Sequence, residues 1–466
     1  MTAAIALDLG TTSVKAALMD RYGQLTHLTT RSAPVMDIHQ GQYESNALHY
    51  AETAEAILEE CLSRTGHRPP LGLCSQRSSF LIWDKTSGQP VTPLISWQDD
   101  RGSSACERLQ TTSDTIRGLT GLRLTPYYFG PKLSVLLQEN PVWRENLILG
   151  KWLTGTLDTF MIWRLTAGRY FVTDASMAAR TLLMDISRLQ WSDTLCRLFD
   201  IPHTILPDIL PSIGLNLPLN NGLTLQASIG DQSAALISSL TPHTSHEALV
   251  NLGTGGFVIR ALAADEPALN GYLQTLVYQN KQRQAQFAVE GTLNSIASAL
   301  APYPVSECSP QDLAATDIFC LAEPSGLGAP FFRKDYGLHF SQTLDGLTQR
   351  QIATLLLEAI IFRVTHILEE FHHQTPLTQI YLSGGLSELP ILQHGISQCI
   401  RIPVAHLRQK ETSLQGTAML ASGLTITCQK NADKIVSPDT HTALIKKYQR
   451  WKKWLDALLG IRAHSH

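Results

Sequence analysis

The chain has almost no excess charge of either sign: 37 lysines and arginines face 40 aspartates and glutamates, a formal net charge of −3. A phosphate-backbone footprint needs a basic surplus, so nucleic acid is not an expected partner. Cysteine is sparse as well. Its eight residues, at positions 61, 74, 106, 196, 308, 320, 399 and 428, form no C-x-x-C pair that would suggest a zinc or dithiol site. Scattered this way they read as reduced thiols, which points to a cytoplasmic protein. No basic segment precedes a hydrophobic stretch at the start, so a secretory leader is not expected. No run reads as apolar enough to cross a bilayer, so a membrane is not expected either.

What remains is an ordinary globular composition, 44% apolar and 17% charged over 466 residues. That length exceeds what one core fills, and two domains of about 200 residues each are the natural division.

Residues 3–9 form an apolar run broken at Asp8, then Gly10-Thr11-Thr12-Ser13, then a second apolar run from Val14 to Met19. This predicts a β-hairpin, and the turn signal Asp20-Arg21-Tyr22-Gly23 extends it into a meander. Apolar residues at three- and four-residue intervals predict a helix over Ala47–Leu62, and Leu71–Cys74 reads as a strand. After Asn220-Asn221-Gly222 comes a strand-like stretch over 223–229. Glu247–Leu252, Gly253-Thr254-Gly255-Gly256 and Phe257–Ala261 then repeat the layout of the N-terminus, which predicts a duplicated architecture. The boundary falls near 232–247, giving domains at 1–240 and 241–425 and a tail at 426–466 ending in a surface helix. Further helices are predicted at Thr348–Phe371 and Ser413–Ser422, where Gly416, Ala418 and Ala421 permit close packing. The strand Gln379–Leu382 runs into Ser383-Gly384-Gly385.

A phosphate needs backbone N–H groups around a concavity and small side chains beside them. Asp8-Leu9-Gly10-Thr11-Thr12-Ser13 offers a sharp turn, three hydroxyls and a carboxylate able to hold magnesium through water, with Lys15 two residues on as a counter-charge. The same letters also suit a plain hairpin turn. Gly253-Thr254-Gly255-Gly256 repeats the device, and Gly384-Gly385 offers bare backbone for a flat ring. Phosphoryl transfer to an alcohol needs a base, often an aspartate. Asp231 in Gly230-Asp231-Gln232 follows an apolar strand at the inferred junction, although it also suits a helix N-cap. Arg77, Trp97, Gln98, Asp99, Arg101 and Tyr127 could give a sugar pocket its polar groups and aromatic wall.

These segments together resemble the FGGY family of carbohydrate kinases, and within it the glycerol kinases. The resemblance spans about residues 3–424 and adds Ser75-Gln76-Arg77, Trp83-Asp84-Lys85, Trp97-Gln98-Asp99, Val172-Thr173-Asp174-Ala175-Ser176, Glu290-Gly291 and Gly326-Leu327-Gly328-Ala329-Pro330 to the pieces above. It implies an α/β fold of two ribonuclease-H-like domains, of the actin and hexokinase type, around a central cleft. It also implies ATP and Mg2+ as cofactors and a small polyol or sugar as substrate, within carbohydrate metabolism. By the same likeness Asp231 is the general base and Asp8 the magnesium-associated carboxylate. Thr11, Thr12, Ser13, Lys15, Gly253, Thr254, Gly384 and Gly385 serve the nucleotide. Arg77, Ser78, Trp97, Tyr127, Asp231, Gln232 and Phe257 line the acceptor pocket. Three departures stand out: Lys15 where the family carries arginine, Ser78 where glycerol kinases carry glutamate, and Leu389-Pro390 beside the adenine segment. The loss of a carboxylate at Ser78 opens alternatives to glycerol, such as a pentulose, a tetrulose or, without catalysis, a sugar sensor. Oligomeric state is open, with a homodimer or higher homo-oligomer compatible.

Overall fold

The computed structural model describes residues 2–240, 244–408, 411–423, 432–438 and 442–461. The chain divides into two compact units. The first comprises Met1–Ser238, Gln274–Phe287 and Glu411–Cys428; the second comprises Ser239–Leu273, Ala288–Lys410 and Gln429–His466.

The first unit is built on a six-stranded sheet in the order Ile213–Pro218, Thr224–Gly230, Leu71–Ser75, Thr2–Leu9, Ser13–Asp20, Leu25–Ser32. The three strands in the middle of that order, from Thr224–Gly230 to Thr2–Leu9, run parallel, and every other pairing is antiparallel. The hairpin and meander expected at the N-terminus are there, with Asp8 opposite Lys15 and Leu9 opposite Val14. Alternation along the first strand sets the two layers. Ile5, Leu7 and Leu9 enter one core with Tyr50, Ala54 and Ile57 of the Ala47–Ser63 helix. Ala4 and Ala6 enter another with Leu414 and Ala418 of the Thr412–Ser422 helix. Small residues there do what their spacing suggested: a Cβ on Gly416 would lie 1.9 Å from the Ala234 carbonyl oxygen, so only glycine lets that helix meet the Asp231–Ser239 helix backbone to backbone. A separate sheet of this unit contains Phe80–Asp84, Leu94–Ile95 and Trp152–Thr156.

The second unit repeats the plan. Ala285–Leu293, Gly256–Ala261, Glu247–Leu252, Gln379–Ser383, Val404–Leu407 and Ala432–Val436 follow one another in its sheet. These pairings read antiparallel, antiparallel, parallel, parallel, antiparallel, the same succession as the first sheet read from its Leu25–Ser32 end. The duplication inferred from two Gly-Thr turns is thus a duplication of topology, the ribonuclease-H-like pattern of the actin and hexokinase type.

Two placements add to the sequence reading, and one expectation, that no run is apolar enough to cross a bilayer, needs correction. The segment 411–423, at the end of the 241–425 domain expected from sequence, packs in the first unit, against the sheet that holds Ala4 and Ala6. The tail helix, Thr442–Leu459, is amphipathic: Leu444, Tyr448, Trp451 and Leu455 are buried along one face, Lys446, Gln449, Arg450 and Lys453 are exposed, and Lys447 makes a buried ion pair with Glu358. Finally, Gln349–Gln374 is long and apolar enough to cross a membrane by length and composition. It is nevertheless a core helix, mostly buried within its unit and carrying two internal ion pairs, Glu358 with Lys447 and Arg363 with Glu323, the latter at 2.7 Å. The seven cysteines among the described residues are buried, and no disulfide joins them; Cys428 lies outside them.

Candidate active site

Parallel strands end together, and their carboxyl ends are where α/β sheets place ligands. In the first unit Leu9 pairs with Ser75, and Ser75 with Gly230, so the segments that follow, Gly10-Thr11, Gln76-Arg77 and Asp231, share one edge of the sheet. The sequence motifs had marked these three segments separately; the register joins them.

Asp8 is the buried acid of this edge. One carboxylate oxygen accepts from Ser413 Oγ at 2.6 Å, and the other, Oδ1, has no hydrogen-bond partner among the described residues. Burial raises its pKa to about 6, the Ser413 hydroxyl opposes that rise, and the nearby charge of Asp231 adds to it. Asp231 opens the Asp231–Ser239 helix and stays a third exposed. Desolvation pushes its carboxyl up, while Arg77, the Gln232 backbone N–H and Arg180 pull it down. Arg77 Nε lies 3.8 Å from Asp231 Oδ1, and its guanidinium donates to Gln232 Oε1.

Thr11 sits in a short network. Trp97 Nε1 donates to its hydroxyl at 2.9 Å, and that hydroxyl lies 3.2 Å from Gln76 Oε1. Tyr50 Oη donates to the Gly10 carbonyl at 2.6 Å, fixing the turn from the helix side. Tyr127 lies against Trp97 with ring centroids 5.3 Å apart. Asp8, the Arg77–Asp231–Gln232 set and the Thr11–Trp97–Tyr127 set thus lie along one sheet edge, each with its own contacts.

The other predicted residues of this unit are placed differently. Thr12 is exposed, and its carbonyl accepts from Ala33 N; the Ser13 carbonyl accepts from Gly10 N. Lys15 is ion-paired with Glu411 at 2.7 Å. Ser78 has no exposed surface, sits at a positive φ of 66°, and donates its hydroxyl to the Arg180 carbonyl at 2.8 Å.

Gly253, Thr254, Phe257, Gly384 and Gly385 belong to the second unit. Glu247–Leu252 and Gln379–Ser383 are parallel neighbours, so the Gly253-Thr254-Gly255 turn and Gly384-Gly385 also follow strand ends at one sheet edge. Asn251 Nδ2 donates to Ser383 Oγ at 2.9 Å, just before both. Thr254 is exposed, and its carbonyl accepts from Ala297 N. Phe257 is half-buried, opposite Asn251 and Thr292.

Sequence reasoning passed over four residues of the first unit. Ser413 and Arg180 are unremarkable letters in their own segments. Gln76 was quoted only as part of a motif. Lys132 is fully buried, donates to the Ser96 carbonyl at 2.7 Å beside Trp97, and has its pKa lowered by burial to about 7. A lone lysine in the apolar run Phe129–Leu137 was the available signal for it.

Residues 3–224 match the N-terminal domain, and residues 248–423 the C-terminal domain, of the FGGY family of carbohydrate kinases. The chain is 31% identical to a glycerol kinase of Trichodesmium erythraeum over 461 residues, which covers 93% of this chain and 91% of the relative. It is 28% identical to an apulose kinase of Pectobacterium atrosepticum over 483 residues, 96% of each. Among solved structures, glycerol kinase of Plasmodium falciparum with ADP shares the fold at a TM-score of 0.87 with 22% identity, over 99% of each chain. Xylulose kinase of Rhodospirillum rubrum shares it at 0.83 with 19% identity, over 98% of each. Two ribonuclease-H-like sheets and the sequence matches across both agree: the chain belongs to the FGGY family of carbohydrate kinases, ATP-dependent phosphotransferases whose acceptor is a sugar or polyol.

Proposed function

We propose that this kinase phosphorylates a hydroxyl of a small polyol or ketose, with Asp231 as the base that takes the hydroxyl proton. The observation that carries this reading is the placement of Asp231: half-open at a strand end, held by Arg77, with its carboxyl pushed up by desolvation. A raised carboxyl is a better proton acceptor near neutral pH than an exposed one. Arg77 and Gln232 orient the acceptor, and the rings of Trp97 and Tyr127 supply an apolar wall for its C–H faces. Thr11, Thr12, Ser13 and Thr254 are assigned to phosphate, and Gly253, Gly384 and Gly385 to the rest of the nucleotide.

Magnesium suits the residues present. Asp8 offers a hard oxygen with an unused acceptor site, and the described residues contain no cluster of three or more His, Cys, Asp or Glu that would form a protein-only cage. Magnesium commonly uses one or two carboxylates together with substrate phosphates and water. Asp8 would hold it, and when bound it would neutralise charge on the phosphates.

Ser78 favours an acceptor other than glycerol. Its hydroxyl is engaged by the Arg180 backbone, so it offers the acceptor neither a carboxylate nor a free donor. A longer ketose could satisfy Arg77 and Gln232 without a carboxylate there. The test is ADP release with glycerol, pentuloses, tetruloses and sugar alcohols, repeated with Asp231→Asn. Turnover of one acceptor class should fall by about a hundredfold to ten-thousandfold in that variant while Mg·ADP affinity stays within a few-fold. Near-normal turnover by Asp231→Asn would rule out the assigned base. Glycerol as the best acceptor would rule out the ketose reading.

A further inference from the structure

A closed ring of hydrogen bonds joins the first phosphate turn to the aromatic wall. Trp97 Nε1 donates to Thr11 Oγ1 at 2.9 Å, and Thr11 Oγ1 donates to Gln76 Oε1 at 3.2 Å. Ser79 Oγ donates to the same Gln76 oxygen at 2.9 Å, and the backbone N–H of Trp97 donates to Ser79 Oγ at 3.0 Å, which closes the circuit. We propose that Gln76 is a positioning residue that couples acceptor binding at Trp97 to nucleotide binding at Thr11. The proposal rests on the reading of Thr11 and Trp97 given above.

The chemistry of the ring explains why glutamine occupies its centre. Two hydroxyl protons converge on one amide oxygen, and the amide N–H side faces the Gly10 carbonyl at 3.5 Å. Gln76 itself is nearly fully buried, and its backbone N–H donates to the Leu9 carbonyl at 2.9 Å, so its own position is set by the sheet. Thr11 and Trp97, by contrast, are only half-buried and lie in irregular segments. Their mutual placement depends on the ring. A hydroxyl has one proton and two acceptor sites, so Thr11 can accept from the indole and still turn its proton from Gln76 to a phosphate oxygen. Gln76 then keeps the Ser79 proton and is not left bare.

Coupling follows from the order of events. An acceptor seated against Trp97 restrains the indole, and the indole N–H restrains Thr11. A nucleotide that arrives next meets a hydroxyl already ordered, so less freedom is lost on binding. By linkage the nucleotide strengthens acceptor binding by the same factor. Arg77, next to Gln76 in the chain, ties the acceptor to the same strand end.

The experiment is calorimetric titration of Mg·ADP into the wild type, Gln76→Leu, Gln76→Glu and Trp97→Phe. Each is done with and without saturating amounts of the acceptor turned over fastest in the panel above. In the wild type the acceptor should tighten Mg·ADP by about tenfold. Gln76→Leu removes the central acceptor, and Trp97→Phe removes the indole N–H while keeping a ring; in both the ratio should fall to about one, with KM for ATP at saturating acceptor rising more than kcat falls. Gln76→Glu keeps the acceptor oxygen and should keep most of the coupling. A wild-type ratio near one, or an unchanged ratio in Trp97→Phe, overturns the proposal. Trp97→Phe leaves Gln76 untouched, so the test stands even where Gln76→Leu fails to fold. Failure of the phosphotransfer reading looks different: the wild type turns over no acceptor, or Asp231→Asn remains active.

Discussion

The two units carry the same hairpin at corresponding places in their two sheets, and the letters align: Asp8-Leu9-Gly10-Thr11 in the first, Asn251-Leu252-Gly253-Thr254 in the second. The turns differ in what surrounds them. In the first, a buried carboxylate with an unpartnered oxygen precedes the glycine, and Trp97, Gln76 and Tyr50 hold the turn. In the second, a neutral amide stands at the corresponding position, bonded to Ser383, and the threonine is exposed. The two copies of the duplicated scaffold therefore differ in chemistry. One copy keeps ionisable groups at the cost of burying them, and the other keeps bare backbone.

The contrast predicts its largest effect at Asp8. The rise of its pKa from the ordinary 3.8 to about 6 means that the free protein carries a buried charge near neutral pH. The sign follows from linkage: a carboxyl whose folded pKa exceeds its unfolded one favours folding below the lower value and loses that contribution as pH rises through the higher. At pH 7 the shift corresponds to about 3 kcal/mol, and below pH 4 to almost nothing. Asp8→Asn keeps an acceptor for Ser413 and removes the charge. It should lower kcat about a hundredfold to a thousandfold, yet raise the Tm of the unliganded protein at pH 7 and leave it unchanged at pH 4. A variant that loses both activity and stability at pH 7 would show that Asp8 is structural, and the contrast with Asn251 would lose its meaning.

The second turn is tested at Gly384. Its φ is 86°, and a Cβ there would lie 2.4 Å from the Leu252 carbonyl oxygen, immediately before Gly253. Only a residue without a side chain lets this backbone pass so close to the strand end. Gly384→Ala should cost about 2 kcal/mol in denaturant unfolding and weaken Mg·ADP binding by about tenfold, with acceptor KM nearly unchanged. A loss confined to acceptor KM would detach the second turn from the nucleotide.

How far these features could be read from the letters depends on how local their cause is. The hairpins, the Gly-Thr turns and the Ala47–Ser63 helix follow from periodicity and turn chemistry within a few residues, and they formed where expected. Partners distant in sequence were invisible. Ser413 bonds Asp8 from 405 positions away, and Ser78 gives its hydroxyl to a carbonyl 102 positions on. The buried ion pair of the tail helix was hidden for the same reason. A basic amphipathic stripe reads as solvated until the fold brings Glu358 to Lys447, when burial of a lysine becomes tolerable. Gln76 lay in plain view inside a motif, but its value appears only when Thr11, Ser79 and Trp97 converge on one oxygen.

The smallest effect is expected at Lys15, the residue whose charge seemed made for a phosphate. It leaves the first turn on the strand opposite Asp8, and its ammonium faces Glu411 at 2.7 Å, with both side chains about a quarter exposed. An ion pair that open contributes at most about 1 kcal/mol, and a cation already neutralised adds little attraction for a nucleotide. Lys15→Met should therefore change KM for ATP less than about threefold, with a modest fall in Tm that 1 M salt abolishes, because screening removes the pair in the wild type as well. A tenfold rise in KM for ATP would mean that Lys15 exchanges Glu411 for phosphate when nucleotide arrives. The first turn would then hold its ligand by mobile charge as well as by the fixed hydroxyl of Thr11, and the chemical difference between the two copies would be sharper than the free protein displays.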